Sequence, residues 1–563
     1  MKKILLFTAL IIGSWALFSQ VAPSKYYVQF TDKNNSPYSL DDPSEYLSQK
    51  SIDRRINQNI PIEENDLPVN PSYIQAVKDF GVIILHPTKW LNGVTIQTDD
   101  ILLIDEINLL PFVETVLKST GKIKNDDLSN NNSTSKPFFE AETYSSLSPE
   151  KINIEKSTLD LDYGPSYNQI HMLNGDALHE LGYLGDGITI AILDAGFEYV
   201  NTLTAFDYLW NNDQIKGTKD FVFEGGNVYS IHSHGKSVLS TIGAYLPEQL
   251  IGTAFNSDFW LIRSEDPTSE YIIEEYNWVS AAEFVDSIGV DIINSSLGYT
   301  VFNDPAQNHT YQDMNGNTTP ISRGADIAVT KGMIVCNSAG NSGNSSWHYI
   351  GAPADGFNVF SIGAVNAEGI IANFSSTGPT YDGRLKPNVV AQGAATVLAG
   401  SGGGIVTGNG TSFSSPIIAG MTACLWQAFP DFSNYEIMDA IELASSMYDD
   451  PDSLYGYGIP DYFAALQYLS IDEKENPIDQ FIKAFPNPFV DQLKIEVFIH
   501  EKQDIRIEIF DMNGKLIIDR TKKSNKIGCT SFNIPNLENL SPGLYFIKTI
   551  TDKNTAIQKI IKK

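Results

Sequence analysis

Three stretches of the chain are almost continuously apolar, and each stops in a small polar turn. They are Gly187-Ile188-Thr189-Ile190-Ala191-Ile192-Leu193-Asp194-Ala195-Gly196, then Val290-Asp291-Ile292-Ile293-Asn294-Ser295-Ser296-Leu297-Gly298, then Gly332-Met333-Ile334-Val335-Cys336-Asn337-Ser338-Ala339-Gly340-Asn341. A half-buried strand alternates apolar and polar residues. Unbroken runs belong to strands covered on both faces, as in a parallel sheet flanked by helices. Such a sheet carries its chemistry at the carboxyl ends of its strands, where this pattern places Asp194, Ser296 and Asn341. Taken singly, each of these residues reads as an ordinary turn or cap.

A fourth stretch supplies a nucleophile. Gly408-Asn409-Gly410-Thr411-Ser412-Phe413-Ser414-Ser415-Pro416 leads into the apolar run Ile417 to Trp426, which predicts a buried helix. Ser412 falls at its N-terminus, where unpaired N–H groups and the positive dipole end favour developing negative charge. Pro416 is expected in the first turn, where its missing N–H costs little. A serine cap on a core helix is the plain alternative. His234 precedes Gly235 and a helix of small residues. Gly235-Lys236-Ser237 imitates the end of a phosphate-binding loop, but Ser230 stands where the first glycine is required. His232 and His234 have metal-ligand spacing without a carboxylate or cysteine partner nearby. A histidine set at a helix start to accept a proton is the third reading.

The order Asp194, His234, Asn341, Ser412 resembles the subtilisin family of serine proteases. The resemblance rests on Ile-Leu-Asp-Ala-Gly, His-Gly, Ile-Asn-Ser-Ser-Leu-Gly, Ala-Gly-Asn and Gly-Thr-Ser-Phe-Ser-Ser-Pro, and spans roughly residues 160–470. It implies an α/β fold with a subtilisin-like parallel sheet, preceded by a small α+β propeptide and followed by an antiparallel β-sandwich tail. It implies that Ser412 is the nucleophile, His234 the general base and Asp194 its orienting carboxylate. Asn341 would donate to the oxyanion. Ser296, Leu297 and Gly298 would pair with an extended peptide, and Ala339 and Gly340 would line the pocket for the side chain before the cut. The family usually carries Thr-His after His-Gly. Here Lys236-Ser237 stands instead, and Lys236 is expected to reach solvent or an acidic partner because an uncompensated buried amine is costly. No cofactor is expected for the chemistry. Structural calcium is common in the family, and Asp207, Asp213 and Asp220 are oxygen-bearing candidates without recognisable calcium-loop spacing, so solvated carboxylates are the expectation and no metal ligand is assigned.

The flanking regions complete the plan. Met-Lys-Lys followed by the apolar run Ile4 to Phe18 reads as a signal peptide over residues 1–20. Residues 21–118 alternate strand and helix signals, the α+β unit that the resemblance makes an inhibitory propeptide. Residues 119–150, with Asn130-Asn131-Asn132-Ser133, read as a linker holding the maturation cut, ahead of a catalytic region over 151–470. Residues 471–483 are an acidic linker. Residues 484–563 alternate apolar and polar positions around Asp511-Met512-Asn513-Gly514, the hairpin signal of a small β-sandwich. That tail, with Ala484-Phe485-Pro486-Asn487-Pro488-Phe489 and Gly543-Leu544-Tyr545-Phe546, resembles the sorting domain of the type IX secretion system. The expectation is a monomeric exported endopeptidase, released or held at the outer-membrane surface, with polypeptide substrates and the type IX machinery as partners. A catalytically silent binding or adhesive protein on the same scaffold is the alternative. A formal charge of −30 argues against nucleic acid. No stretch after the leader is long and apolar enough for a membrane span. Cys336, Cys424 and Cys529 are too few for a disulfide framework; Cys336 and Cys424 lie in apolar runs and are expected as buried thiols.

Overall fold

The structure is a computed structural model that describes residues 24–118, 161–470 and most of 481–563. The predicted signal peptide and the predicted linker over 119–150 lie outside the described residues. The N-terminal unit is a four-stranded antiparallel sheet in the order β2-β3-β1-β4. Its strands are β1 (Lys25–Phe30), β2 (Ile83–Thr88), β3 (Gly93–Gln97) and β4 (Val113–Lys118), and its helices α1 (Gln49–Asn57), α2 (Pro71–Lys78) and α3 (Ile101–Asn108). Val28, Phe30, Val77, Val94, Ile96 and Ile107 form a core of its own. Between residues 43 and 57 the chain forms a short turn and then α1, because the Ser48 hydroxyl accepts from Ser51 N and caps a fresh start.

The central unit holds a seven-stranded sheet in the order β13-β12-β11-β10-β5-β9-β6. Its strands are β5 (Thr189–Asp194), β6 (Ile215–Asp220), β9 (Asp258–Arg263), β10 (Ile292–Ser295), β11 (Ile334–Ser338), β12 (Phe360–Val365) and β13 (Val389–Gln392). Every neighbouring pair runs parallel. β5, β10, β11, β12 and β13 are buried along their whole length because helices cover both faces, whereas the edge strand β6 alternates charged and small residues and is largely exposed. These are α4 (Tyr167–His171), α5 (Gly175–Glu180), α6 (Asp207–Asn211), α7 (His234–Gly243), α8 (Ile273–Ile288), α9 (Pro320–Thr330), α10 (Thr411–Ala428), α11 (Asn434–Leu443) and α12 (Tyr462–Ser470). Short ribbons β7 (Tyr245–Leu246) with β8 (Leu250–Ile251), and β14 (Thr396–Ala399) with β15 (Ile405–Gly408), sit beside α7, and the second leads into α10. β5 is followed in the chain by β6 and β9 on one side of it and by β10 on the other, so strand order reverses at β5. Such a switch point leaves a crevice at the strand carboxyl ends. Cys336 and Cys424 are buried free thiols.

The C-terminal unit stacks β16 (Phe481–Phe485), β17 (Leu493–Ile499) and β20 (Gly528–Ile534) against β18 (Asp504–Asp511), β19 (Leu516–Lys523), β21 (Gly543–Ile550) and β22 (Thr555–Lys562). Alternate residues Ile495, Val497, Ile507, Ile509 and Ile547 meet in one core, as expected of a β-sandwich. β18 and β19 form the predicted hairpin. β16 begins at Phe481, inside the stretch expected as linker, and pairs with β17.

The N-terminal unit lies against α8. Tyr27 of β1 stacks on Tyr276 with ring centres 4.1 Å apart. Glu283 accepts from Lys89 N at 2.6 Å and Trp90 N at 2.9 Å. Asp286, fully buried, receives Arg54 at 2.5 Å, Arg55 at 2.9 Å and Lys89 at 3.3 Å. Asp66 of the N-terminal unit takes Arg55 at 2.8 Å and Lys331 at 3.0 Å. Burial opposes ionisation of Asp286, but the charges of Lys89, Arg55 and Arg54 prevail and hold its carboxyl well below the usual range.

Candidate active site

Parallel register brings the polar strand ends to one level. Leu193 faces Ser295, and Ser295 faces Asn337, so Asp194, Ser296 and Ser338 step off the sheet together. His234 opens α7 beside Asp194, its Nδ1 lying 2.9 Å and 3.0 Å from the two carboxylate oxygens. The glycines around the pair permit this approach. A Cβ on Gly235 would meet Gly196 O at 2.6 Å and Asp194 Cβ at 3.0 Å, and one on Gly196 would strike Ile231 O at 1.9 Å. Asp194 is fully buried and the His234 side chain is 9% exposed. Burial alone would depress the imidazole, yet the charge and hydrogen bond of Asp194 raise it above its ordinary value, with Glu265 adding and Lys236 opposing.

Ser412 is the second residue of α10, and the helix is buried from Thr411 to Trp426. Its Oγ lies 3.4 Å from Ser296 O, and the next residue, Phe413, has its ring 6.1 Å from that of His234. Pro416 is the sixth helical residue rather than part of the first turn. Its missing N–H would have bonded to the carbonyl four residues earlier, which is Ser412 O. That oxygen accepts instead from Ser296 Oγ at 2.9 Å. The proline thus frees the carbonyl that ties the serine to the Ser296–Gly298 segment.

Asn341 follows β11. Its Oδ1 accepts from Thr411 N at 2.9 Å and Thr411 Oγ1 at 3.0 Å, which fixes the amide with its NH2 as the group left to donate. Thr411 Oγ1 also accepts from Gly340 N at 3.2 Å, while Ser376 takes Ser342 N on its Oγ at 2.9 Å and gives its own N–H to Gly340 O at 2.9 Å. Thr411 lay inside a quoted motif without an assigned task; no sequence signal marked Ser376. Leu297 and Ala339 are buried, whereas Gly298 is exposed and Gly340 half-buried, leaving backbone edges open beside the pair.

Two further expectations change. Lys236 does not reach solvent: it is 2% exposed and its Nζ donates to Ala399 O at 2.6 Å. A backbone carbonyl from β14 satisfies it, and burial lowers its amine to about 8. Asp220 is not a solvated carboxylate. Its Oδ1 accepts from Val222 N and Phe223 N, and its Oδ2 pairs with Arg263 at 3.0 Å. Asp207 and Asp213 are exposed elsewhere, and among the described residues no group of three or more His, Cys, Asp or Glu is arranged to hold a metal.

A buried acid–imidazole pair and a helix-start serine, gathered where strand order reverses in a parallel sheet, are the parts of a serine peptidase. Residues 185–458 match the family model described as the subtilase family. Residues 25–136 match the Peptidase S8 propeptide domain of Bacteroidota, and 483–563 the secretion system C-terminal sorting domain. The chain carries a subtilase domain and is a serine endopeptidase with a zymogen propeptide. Subtilisin E of Bacillus subtilis (strain 168) is 28% identical over 324 residues, 57% of this chain and 76% of that protein. Subtilisin of Bacillus pumilus is 28% identical over 302 residues, 53% of this chain and 98% of that protein. Serine protease AprX of Bacillus subtilis (strain 168) is 27% identical over 338 residues, 54% and 70% of the two chains. The crystal structure of MycP1 from the ESX-1 type VII secretion system aligns with a TM-score of 0.42 at 21% identity, covering 57% of this chain and 90% of that one. The sorting domain assigns export by the type IX system to the extracellular or outer-membrane surface. Among the described residues no helix is long and apolar enough to cross a membrane.

Proposed function

We propose that Asp194, His234 and Ser412 form the catalytic triad, with Asn341 and the Ser412 N–H as oxyanion donors. The observation that carries this is the His234 Nδ1 contact to both Asp194 oxygens, at 2.9 Å and 3.0 Å, beside a buried serine at a helix start. In this reading the Ser412 hydroxyl turns from Ser296 O and attacks the scissile carbonyl carbon as His234 Nε2 takes its proton. Asp194 holds Nδ1–H and stabilises the imidazolium. The tetrahedral oxyanion rests on the Asn341 amide and the Ser412 N–H. The imidazolium then protonates the departing amine, leaving an acyl-enzyme. Water gives a proton to His234 and attacks the ester carbonyl; as the bond to Ser412 Oγ breaks, the imidazolium returns that proton to Oγ and the acid is released.

Substrate lies extended, its backbone along Ser296-Leu297-Gly298 and its preceding side chain between that segment and Ala339-Gly340. Exported polypeptides are the substrate class, and the type IX machinery is the partner of the tail. The test is labelling of the processed protein with a serine-directed fluorophosphonate and mapping of the modified peptide. Label on Ser412 in native but not heat-denatured protein is expected; native protein that stays unlabelled after propeptide removal would sink the reading.

Two further results are expected. Asn341→Ala lowers kcat by a factor on the order of 10² to 10³, the size of this loss in subtilisin itself, with KM nearly unchanged. A change confined to KM would remove Asn341 from the oxyanion site. The second concerns His86, whose Nε2 lies 2.8 Å from Phe221 O. Burial against the central unit lowers its imidazole from 6.5 to about 4. The docked state therefore binds fewer protons, so this contribution is complete above pH 6.5 and is lost as pH falls toward 4. Glu283, raised to about 7 chiefly by burial, acts in the opposite sense, so the comparison must be made against His86→Gln. Relative to that variant, inhibition of the processed enzyme by added residues 24–118 weakens by up to about a hundredfold across the window. Parallel pH curves would exclude it.

A further inference from the structure

We infer that Glu265 is a positioning residue for His234: its carboxylate, held by the Tyr299 hydroxyl between β9 and the substrate segment, supplies a second buried negative charge that stabilises the imidazolium. The inference rests on the proposed triad and assigns one more residue to it.

Backbone geometry sets the place. β9 pairs with β5 so that Arg263 faces Asp194, and Ser264 N donates to Asp194 O at 3.1 Å. Glu265 is the next residue, so it leaves the sheet beside the strand end that orients the histidine. It is 4% exposed. Its Oε2 accepts from Tyr299 Oη at 3.2 Å. Tyr299 is fully buried and follows Gly298 directly; its N–H is fastened to Ala352 O at 2.8 Å. The carboxylate is thereby linked to the segment that lies beside Ser412.

Neighbouring acids have other tasks. Asp266 takes Thr268 N, Thr268 Oγ1 and Ser269 Oγ, and Glu274 takes Asp266 N and Tyr271 N, so both close local turns. Glu265 instead reaches across to a different strand end. The charged and titratable groups that act on His234 are Asp194 from β5, Glu265 from beyond β9, Lys236 on α7 itself and His232, whose ring is 6.4 Å away. α10 presents Ser412 and Phe413 and adds no charge. Lys236 is satisfied by Ala399 O and works against the imidazolium. Glu265 offsets that cation. In a buried site such a charge acts with little screening.

The experiment is the pH profile of kcat/KM for the processed enzyme, with Glu265→Gln, Glu265→Asp and Tyr299→Phe. The base must be neutral to act, so activity falls as pH drops through the His234 titration. Glu265→Gln is expected to move that acid limb to lower pH by roughly half a unit, while the plateau changes only a few-fold. Glu265→Asp restores most of the shift, and Tyr299→Phe, which keeps the charge, moves the limb less than Glu265→Gln. Thermal melting shows which variants are folded. A folded Glu265→Gln enzyme whose acid limb superimposes on the wild type overturns the inference. So does an effect confined to substrate preference, which would make the carboxylate a reader of substrate. Activity that survives His234→Ala, or a wild-type profile without a histidine limb, overturns the triad and this inference together.

Discussion

Ser412→Ala in the processed enzyme is expected to lower kcat on the order of a millionfold, the size of the equivalent loss in subtilisin itself, while peptide binding persists. The reason lies in the division of labour. In the proposed mechanism Ser412 Oγ forms the bond to substrate, and its removal leaves the Asn341 amide and the Ser296–Gly298 edge in place. Residual turnover above water is therefore retained. His234→Ala should be nearly as severe, and the double variant little worse than either, because nucleophile and base act as one unit. The measurement is kcat and KM on an extended peptide, with a substrate-like inhibitor to report binding. A Ser412→Ala enzyme within tenfold of wild type would move the nucleophile elsewhere, and additive losses in the double variant would separate the two residues. The same substitution also keeps the propeptide attached if maturation is self-cleavage, which gel analysis of the secreted chain reads directly.

Asp286→Ala is expected to weaken inhibition by residues 24–118 by a factor on the order of 10² to 10³. Asp286 has three charged partners, Arg54, Arg55 and Lys89, and all of them belong to the N-terminal unit. Deleting the shared carboxylate leaves Arg54 and Arg55 buried with less compensation; breaking a buried pair from one side typically costs about 3 to 5 kcal/mol. Asp66 still holds Arg55 and Lys331, which places the expected loss at the lower end. The mature enzyme should keep its kcat, since these ion pairs all cross to residues that the propeptide carries away. Titration of the processed variant with residues 24–118 gives the inhibition constant. An unchanged constant would mean that the contacts of Tyr27 on Tyr276 and of Glu283 on Lys89 N and Trp90 N hold the unit by themselves, and a parallel fall in kcat would mean that Asp286 serves the central unit too. Added salt should matter little, because buried charges are weakly screened.

The residues of the proposed triad were legible because each lies in a short stretch whose neighbours are dictated by local geometry. Asp194 ends an apolar strand, His234 starts a helix after a turn, and Gly235 is required by the approach of α7 to that strand end. The strand runs fixed the sheet class for a similar reason: burial on both faces leaves an unbroken apolar string. The hairpin at Asp511-Met512-Asn513-Gly514 joins β18 and β19 as expected, whereas β20 (Gly528–Ile534), paired with β17, was not expected, since its Gly-Cys-Thr-Ser start carries no alternation.

What the linear chain could not carry is the choice of partners far apart along it. Pro416 looked like a first-turn residue, and only the fold gives it a task, by sending the Ser412 carbonyl to Ser296, 116 residues away. Lys236 looked destined for solvent or an acidic partner until β14 brought the Ala399 carbonyl to it across 163 residues. Asp286 and Glu265 are unremarkable in the sequence, one in a helix and one after a strand, and each acquires its meaning from cations or a tyrosine that arrive from elsewhere. Hydrogen bonds and ion pairs act over a few ångströms in space with no regard for distance along the chain. The sequence alone therefore determined the parallel sheet and the sorting tail and suggested the proposed acid–base–nucleophile order, while tertiary packing decided how those groups are charged, held and covered.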